Sequence, residues 1–143
     1  MNFPFSFWGN IKNAIITVLT SNTSSSLLTA SASSAASASN AAWKAFDGND
    51  STYWSPAGAS PGEWVQIKFI TPRKVSKYRV LLFATKSWIL SASNDGSSFT
   101  NLDSQTTQST VTKNISNNIN YLYYRITFSD PSIAAETIQF YGY

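Results

Sequence analysis

The 143-residue sequence contains no cysteine and no histidine. Without cysteine, the chain can form neither a disulfide framework nor a thiolate site. Without histidine, it lacks the commonest general base and the commonest transition-metal ligand of proteins. These two absences exclude zinc sites built from cysteine and histidine, and they exclude catalysis by Ser-His-Asp or Cys-His groups.

Charged residues are also scarce. They make up 12% of the chain, and ten basic against seven acidic residues leave a net charge of +3. Arg73, Lys74, Lys77 and Arg79 cluster, which fits either a phosphate-binding patch or the solvated face of a strand. We favour the solvated face and predict no nucleic-acid partner. No apolar run is long enough to span a bilayer, and 43% hydrophobic residues suffice for the core of a single domain.

The first 28 residues differ from the rest. Aromatic residues crowd the start, namely Phe3, Phe5, Phe7 and Trp8. Apolar residues then recur at spacings of three and four and predict one short amphipathic helix: Ile11, Ala14, Ile15, Val18 and Leu19. A signal peptide fits poorly, because no basic residue precedes the apolar part and Lys12 interrupts it. We predict that residues 1–24 form a docking arm, that the segment 1–28 buries its aromatics on other proteins or on copies of itself, and that residues 25–143 form the domain.

From Trp64 onward, apolar and polar residues alternate with the period of a half-buried β-strand. The predicted inward-facing sets are Val65, Ile67 and Phe69; Tyr78, Val80 and Leu82; Trp88, Leu90 and Ala92; Leu122, Tyr124, Ile126 and Phe128; and Ile138 and Phe140. Asn94-Asp95-Gly96 is a strong hairpin signal, and residues 27–31 are predicted as an opening strand. Short strands separated by Gly, Pro and Asn turns predict an all-β antiparallel sandwich.

One short stretch between Phe46 and Trp54 concentrates oxygen donors: Asp47, Asn49, Asp50 and Thr52. Gly48 permits a tight turn there, because glycine adopts positive φ without steric cost. A turn with these oxygens pointing inward would suit Ca²⁺, which takes about 6–8 oxygen ligands. The alternative, slightly favoured by this segment alone, is an Asx-capped loop with solvated acids.

Several separate stretches together resemble one family. They are Thr29-Ala30-Ser31, Lys44-Ala45-Phe46-Asp47-Gly48-Asn49, Thr52-Tyr53-Trp54, Trp64-Val65-Gln66-Ile67, Ser93-Asn94-Asp95-Gly96-Ser97-Ser98-Phe99, Tyr124-Arg125-Ile126 and Glu136-Thr137-Ile138-Gln139-Phe140-Tyr141-Gly142. In this order and spacing they resemble the discoidin domain, the type C domain of coagulation factors V and VIII, whose fold also houses the family-32 carbohydrate-binding modules. The resemblance covers roughly residues 25–143. It implies a galactose-binding-like jelly-roll β-sandwich with its binding loops at one end.

The resemblance also implies a structural Ca²⁺ site, because some family members hold the ion with this turn and the last strand. The implied ligands are the carbonyls of Lys44, Asn49, Thr52 and Ala135, the hydroxyl of Thr52, and the carboxylates of Asp47 and Glu136. Glu136 favours the Ca²⁺ site over the Asx-capped loop with solvated acids, because it supplies a second carboxylate from a distant part of the sequence. Other members bind no metal there.

The expected ligand-binding loops are Ser55–Glu63 and Phe83–Ser87. Sugar recognition requires an aromatic platform with directional polar partners, and the candidates are Trp43, Arg79, Phe83 and Lys86. Packing is as plausible as ligand contact for Trp43, Phe83 and Lys86. Core roles are predicted for Trp54, Trp64 and Trp88, and Arg125 is expected to be stacked or paired with a carboxylate.

These features predict a non-enzymatic adhesion module that binds a cell-surface glycan and sits on a particle such as a phage virion, attached through its N-terminal arm. Its expected location is a virion or an extracellular surface. A purely structural virion decoration or spacer without a glycan ligand is the alternative. Membrane insertion is not expected, because the loop Ser55–Pro61 has no large apolar residue at its tip. Catalysis is not expected either, because Asp47 and Glu136 are already assigned to the metal.

Overall fold

The protein is an antiparallel β-sandwich, as predicted. The computed structural model describes residues 13–15, 19–23 and 28–142. Its seven strands are β1 (Asn13–Ala14), β2 (Leu28–Ala32), β3 (Trp64–Arg73), β4 (Val75–Ser93), β5 (Thr100–Asn114), β6 (Tyr121–Phe128) and β7 (Ala135–Gly142). Two 3-10 turns, Ala38–Asn40 and Ala42–Phe46, are the only helical elements in these ranges. No helix among the described residues has the length and apolar character needed to cross a membrane.

Strand β4 belongs to both layers of the sandwich. Residues 75–82 of β4 pair with β7, whereas residues 88–93 pair with β6. The strand order is therefore β1-β7-β4-β6-β3-β2, with β4 passing from one layer to the other. The sequence analysis predicts two separate inward-facing runs here, at 78–82 and 88–92, and the structure joins them into one strand of 19 residues.

Strand β5 follows β4 through both layers. Their register runs from Lys77 opposite Asn114 to Ala92 opposite Thr100, and the predicted Asn94-Asp95-Gly96 turn connects the two strands, with Gly96 at φ 77°. The sequence analysis predicts no strand at 100–114, because Leu102 and Val111 are the only apolar residues in this segment. Pairing with β4 creates a strand that apolar alternation does not show.

Strand β5 bends sharply in its middle. Asp103 and Lys113 are ten residues apart, about 33 Å along a straight strand, yet the Lys113 Nζ lies 2.6 Å from Asp103 Oδ1. At the bend, Thr107 has a φ of 54°, and its amide donates to Ser87 Oγ at 3.1 Å. Asp103 thus ties together the two halves of the strand.

A polar network surrounds Asp103. The hydroxyl of the buried Tyr78 donates to Asp103 Oδ2 at 2.6 Å, and Gln105 Nε2 donates to the same oxygen at 2.9 Å. Burial acts to raise the pKa of Asp103, but the hydrogen bonds from Lys113, Tyr78 and Gln105 outweigh it and hold that pKa below its usual value. Burial, followed by the bond to Asp103, raises the pKa of Tyr78.

The core between the layers is rich in aromatic rings. Trp54 and Trp88 are buried, as predicted, and each packs on Phe128, with ring centroids 6.2 and 6.3 Å apart. The core role predicted for Trp64 is wrong. Trp64 is half-buried, and its ring lies 3.8 Å from the guanidinium carbon of Arg125. The inward face of β3 starts one residue later, at Val65, and alternation therefore turns Trp64 outward.

The predicted N-terminal helix is wrong where the structure describes it. Asn13 and Ala14 form a strand that pairs with Gly142 and Tyr141 of β7. Leu19 is only 1% exposed and belongs to the core. Part of the predicted arm therefore completes the domain, because the edge of β7 offers backbone partners that an isolated short helix lacks. The aromatic cluster Phe3, Phe5, Phe7 and Trp8 lies outside the described residues.

We expect Asp103→Asn to lower the free energy of unfolding at neutral pH by about 1–3 kcal/mol, because Lys113 and Tyr78 lose a charged acceptor. The folded-state pKa of Asp103 lies below its unfolded value, near 4. Its carboxylate therefore stabilises the fold above that unfolded pKa, and the contribution disappears as pH falls through the folded value. Urea denaturation across a pH series should show the wild-type and variant stabilities converging below about pH 4. A gap that persists unchanged into strong acid would contradict this role.

Candidate ligand-binding site

The turn after Phe46 is held by its own polar side chains. Asp47 follows the second 3-10 turn, and its Oδ1 accepts the Asn49 amide at 3.0 Å. Its Oδ2 accepts the Thr52 hydroxyl at 2.5 Å, and that hydroxyl also lies 3.1 Å from the Asn49 carbonyl oxygen. Gly48 has a φ of 70°, as a tight Asx turn requires. The structure thus brings the oxygens of Asp47, Asn49 and Thr52 together.

The start of β7 lies against this turn. Trp54 and Ala135 form an isolated antiparallel bridge, with N–O distances of 2.9 Å in both directions. This bridge sets Ala135 opposite Trp54, which comes two residues after Thr52 in the chain. The half-buried Glu136 follows Ala135 in β7. Lys44 lies within the preceding 3-10 turn, with its Nζ 4.4 Å from the centroid of Trp43.

The donor set fits calcium in its chemistry. Carboxylate, hydroxyl and carbonyl oxygens are the ligands that Ca²⁺ prefers, and those of the turn already converge on Thr52. Within the described residues there is no group of three or more Asp, Glu, His or Cys side chains close enough together to hold a metal ion. The set implied by the resemblance is not of that kind, since it contains two carboxylates and relies otherwise on carbonyls and a hydroxyl.

Asp50 points away from that set. Its Oδ1 accepts a hydrogen bond from the Thr137 hydroxyl of β7, and its Oδ2 lies 3.6 Å from an Arg79 terminal nitrogen. The sequence pattern predicts Asp50 among the inward-pointing oxygens of the turn, and Arg79 is a predicted polar ligand partner. In the structure, Asp50 instead links the turn to Arg79 of β4 and to Thr137 of β7.

A cleft of about 460 Å³ opens beside the turn. It is lined by Tyr53, Ser55, Ala57, Gly58, Ala59, Phe83, Ser132, Ile133 and Ala134. Phe83 is 80% exposed and Tyr53 is 41% exposed, so both rings face solvent. Both predicted ligand loops, Ser55–Glu63 and Phe83–Ser87, contribute to the lining.

Hydrogen bonds donated to the 129–134 segment fix the cleft wall that carries Phe83. The Phe83 amide donates to the Ala134 carbonyl at 3.1 Å. The Ser87 amide donates to Asp130 Oδ2 at 2.7 Å, and Lys86 Nζ donates to the Pro131 carbonyl at 2.8 Å. The bend of β4 is therefore clamped to the segment that leads into β7.

The predicted ligand residues separate into two groups. Phe83 lines the cleft, and Lys86 does not, but its Nζ donates to the carbonyl of Pro131, the residue before the lining residue Ser132. Trp43 and Arg79 do not contribute to the lining. Trp43 packs on the edge of the core, and its amide donates to Asn22 Oδ1 at 3.0 Å.

Four lining residues were not predicted from the sequence: Tyr53, Ser132, Ile133 and Ala134. Tyr53 belongs to one of the family motifs but was not predicted as a ligand residue. Its position next to the buried Trp54 indicates that its side chain points outward. Ser132 carries no such local signal, because it reaches the cleft only when β7 pairs with β4. No lining side chain is charged, so the cleft presents hydroxyl groups and apolar surface.

Solved structures with this fold include sugar-binding modules. Chitosan-binding module 1 from a chitosanase/glucanase of Paenibacillus sp. IK-5 has a TM-score of 0.72 at 22% identity, covering 80% of this chain and 94% of that one. Module 2 of that enzyme, solved with chitotriose, has a TM-score of 0.71 at 22% identity, covering 79% and 95%. The CBM32 of AlyQ, solved with 4,5-unsaturated mannuronic acid, has a TM-score of 0.69 at 19% identity, covering 80% and 94%. At these identities the likeness establishes the fold.

No curated protein matches the sequence. The F5/8 type C domain family matches residues 29–142, which include β2 from its second residue, all of β3 to β7 and both regions described above. The chain therefore belongs to the F5/8 type C, or discoidin, family.

Proposed function

We propose that this chain is a non-enzymatic module that binds a cell-surface glycan in the cleft between Tyr53 and Phe83. The observation that carries the proposal is the exposure of Phe83 at the cleft, since a ring 80% exposed contributes little to the core. Exposed aromatic rings in a concave site match the apolar face of a pyranose. The hydroxyls of Ser55 and Ser132 are available for the directional hydrogen bonds that a sugar requires.

Two structural relatives support a carbohydrate ligand. Chitosan-binding module 2 was solved with chitotriose, and the CBM32 of AlyQ was solved with 4,5-unsaturated mannuronic acid. AlyQ also contains an alginate lyase domain, so a module of this fold can accompany a separate catalytic domain. We therefore assign binding, and no chemistry, to the cleft.

Binding at one cleft should be weak, because a single sugar buries little area and its hydroxyls exchange water for protein partners. Several linked copies would raise the avidity without any new contact. We infer that the module is displayed on a particle, such as the tail, fibre or capsid of a phage virion, through its N-terminal arm. It would face the glycan from a virion or extracellular surface.

We also propose that Ca²⁺ stabilises the domain at the turn between Phe46 and Trp54. The ligands would be the oxygens of Lys44, Asp47, Asn49, Thr52, Ala135 and Glu136. Convergence of the Asp47 and Thr52 oxygens, together with the bridge from Trp54 to Ala135, supports this set. When bound, the ion would supply a link between the turn and β7, with no role in chemistry.

Replacing Phe83 or Tyr53 by Ala should reduce binding of a multivalent form to a glycan array by at least about tenfold, because the pyranose loses its apolar platform. Each variant should keep its free energy of unfolding within about 1 kcal/mol of the wild type, as is typical of exposed sites. Ile70→Ala is the matched control, because Ile70 is 61% exposed and lies outside the cleft lining. If the wild type binds no glycan at all, the structural spacer is the better interpretation.

Deleting residues 1–12 should leave the stability of the domain unchanged and abolish its self-association or attachment to a particle. Deleting residues 1–23 should in addition cost about 2–5 kcal/mol, because the buried Leu19 and the pairing of β1 with β7 are lost. Chemical denaturation and light scattering measure the two effects separately. Equal stability of the two truncated chains would show that Leu19 does not support the core.

Calcium should raise the melting temperature of the wild type, and chelator should reverse the rise, because a ligand bound only by the folded state adds stability with the logarithm of its concentration. Asp47→Asn and Glu136→Gln should each abolish this response. Asp50→Asn is the matched control within the turn: it should lose the ion pair with Arg79, keep an amide oxygen that accepts from the Thr137 hydroxyl, and keep the response to calcium. A wild-type melting temperature that is insensitive to chelator would refute the metal site.

A further inference from the structure

Arg125 lies on the outward face of β6, away from the cleft and from the turn. It pairs across the sheet with Gln66 of β3 and with Ser91 of β4. Its guanidinium carbon lies 3.8 Å from the centroid of Trp64 and 4.0 Å from that of Phe99. Its Nε donates to Gln66 Oε1 at 2.8 Å. Two rings and one hydrogen bond therefore fix the plane and the direction of the guanidinium group.

The charge of Arg125 has no carboxylate partner among the described residues. The ion pairs in that part of the chain join Arg79 to Asp50 and Lys113 to Asp103. Burial lowers the pKa of Arg125, as expected for a cation that is partly removed from water. The two terminal nitrogens of Arg125 make no hydrogen bond to any described residue. Among the described side chains, the only fully buried polar atom without a partner is Ser76 Oγ, so the Arg125 terminal nitrogens reach the solvent.

The stacking limits how a ligand can approach. The Trp64 and Phe99 rings cover the two faces of the guanidinium group, and only its edge remains open. That edge carries parallel N–H donors, which match the two oxygens of a planar carboxylate. Lys68 faces the same side, 5.5 Å from the Tyr123 ring, and adds positive charge. The outward positions of β3 and β6 around Arg125 carry no acidic residue.

We propose that the outward edge of Arg125, walled by Trp64 and Phe99, is a second binding site that takes the carboxylate of an acidic sugar, a uronate. The neighbouring outward position on β2 carries the half-buried Ser31, which lies opposite Gln66 and adds a hydroxyl to this surface. The Ser31 hydroxyl and the terminal N–H groups of Arg125 are the polar partners that the hydroxyls and the carboxylate of a uronate require. The site is independent of the cleft, because none of these residues lines it.

The test is a titration of the ¹⁵N-labelled full chain followed through the Nε–Hε signal of Arg125, which its bond to Gln66 should protect from exchange. Glucuronate at constant ionic strength should give a saturable shift with a dissociation constant on the order of millimolar. Glucose should give none, and sulfate should bind several-fold more weakly, because a tetrahedral anion matches the flat fork less well. The absence of a saturable shift, or equal shifts with glucose or sulfate, would overturn the proposal.

Variants add a second readout. Arg125→Lys keeps the charge but loses the fork, and it should weaken glucuronate binding at least about tenfold. Phe99→Ala removes one wall and should weaken it several-fold, which covers the case in which Arg125→Lys fails to fold. Lys77→Gln is the control, because Lys77 is also a cation over an aromatic ring, 5.0 Å from Tyr141. Equal weakening in Lys77→Gln would assign the effect to overall charge and overturn the proposal.

Discussion

The passage of β4 from one layer of the sandwich to the other is the constraint on which the rest of the structure depends. Because one strand pairs first with β7 and then with β6, its backbone has to change direction between residues 83 and 87. Strand β5 follows the same bend, and Asp103 and Lys113 meet across it at 2.6 Å. On the other side, the 129–134 segment is clamped to the bend through Ser87 and Lys86. The bend turns Phe83 outward beside this segment, and the cleft is therefore a consequence of the way the two layers are joined.

Alternation in the sequence predicted most of the core but not all of the strands. Val65, Ile67 and Phe69 alternate with polar residues and were predicted because their pattern is local. Strand β5 has almost no apolar side, since the positions opposite Trp88, Leu90 and Tyr78 are the polar Gln105, Asp103 and Lys113. Those residues are stabilised by hydrogen bonds and an ion pair, which hydrophobic periodicity does not show. The core role predicted for Trp64 is wrong because Trp64 lies one residue before the inward-facing Val65, and alternation along the strand turns it outward.

The two candidate sites also differ in how far the sequence could predict them. The turn between Phe46 and Trp54 is made by residues that are close together in the sequence. Its Asx geometry could therefore be predicted from Asp47, Gly48 and Thr52 alone. The cleft depends on residues 53–59 meeting 83 and 132–134, and only the pairing of distant strands produces that meeting. The same holds for Asp50, whose partners Arg79 and Thr137 come from two other strands. The predicted loops Ser55–Glu63 and Phe83–Ser87 both contribute to the cleft lining, but the sequence did not predict Tyr53 or the 132–134 segment there.

The side chains proposed for binding, of which Tyr53 and Phe83 are exposed and Arg125 is half-buried, alternate with the most deeply buried ones. Tyr53 precedes Trp54, Phe83 follows Leu82, and Arg125 lies between Tyr124 and Ile126, all four of these neighbours being at most 4% exposed. Each buried neighbour fixes the backbone, so the exposed side chain starts from a rigid Cα and loses little freedom when a ligand binds. Arg125 adds a second restraint, because Trp64, Phe99 and Gln66 also fix its guanidinium group. The period of two that builds the core therefore also prepares the outer surface, and replacing a buried neighbour should weaken binding without touching the ligand.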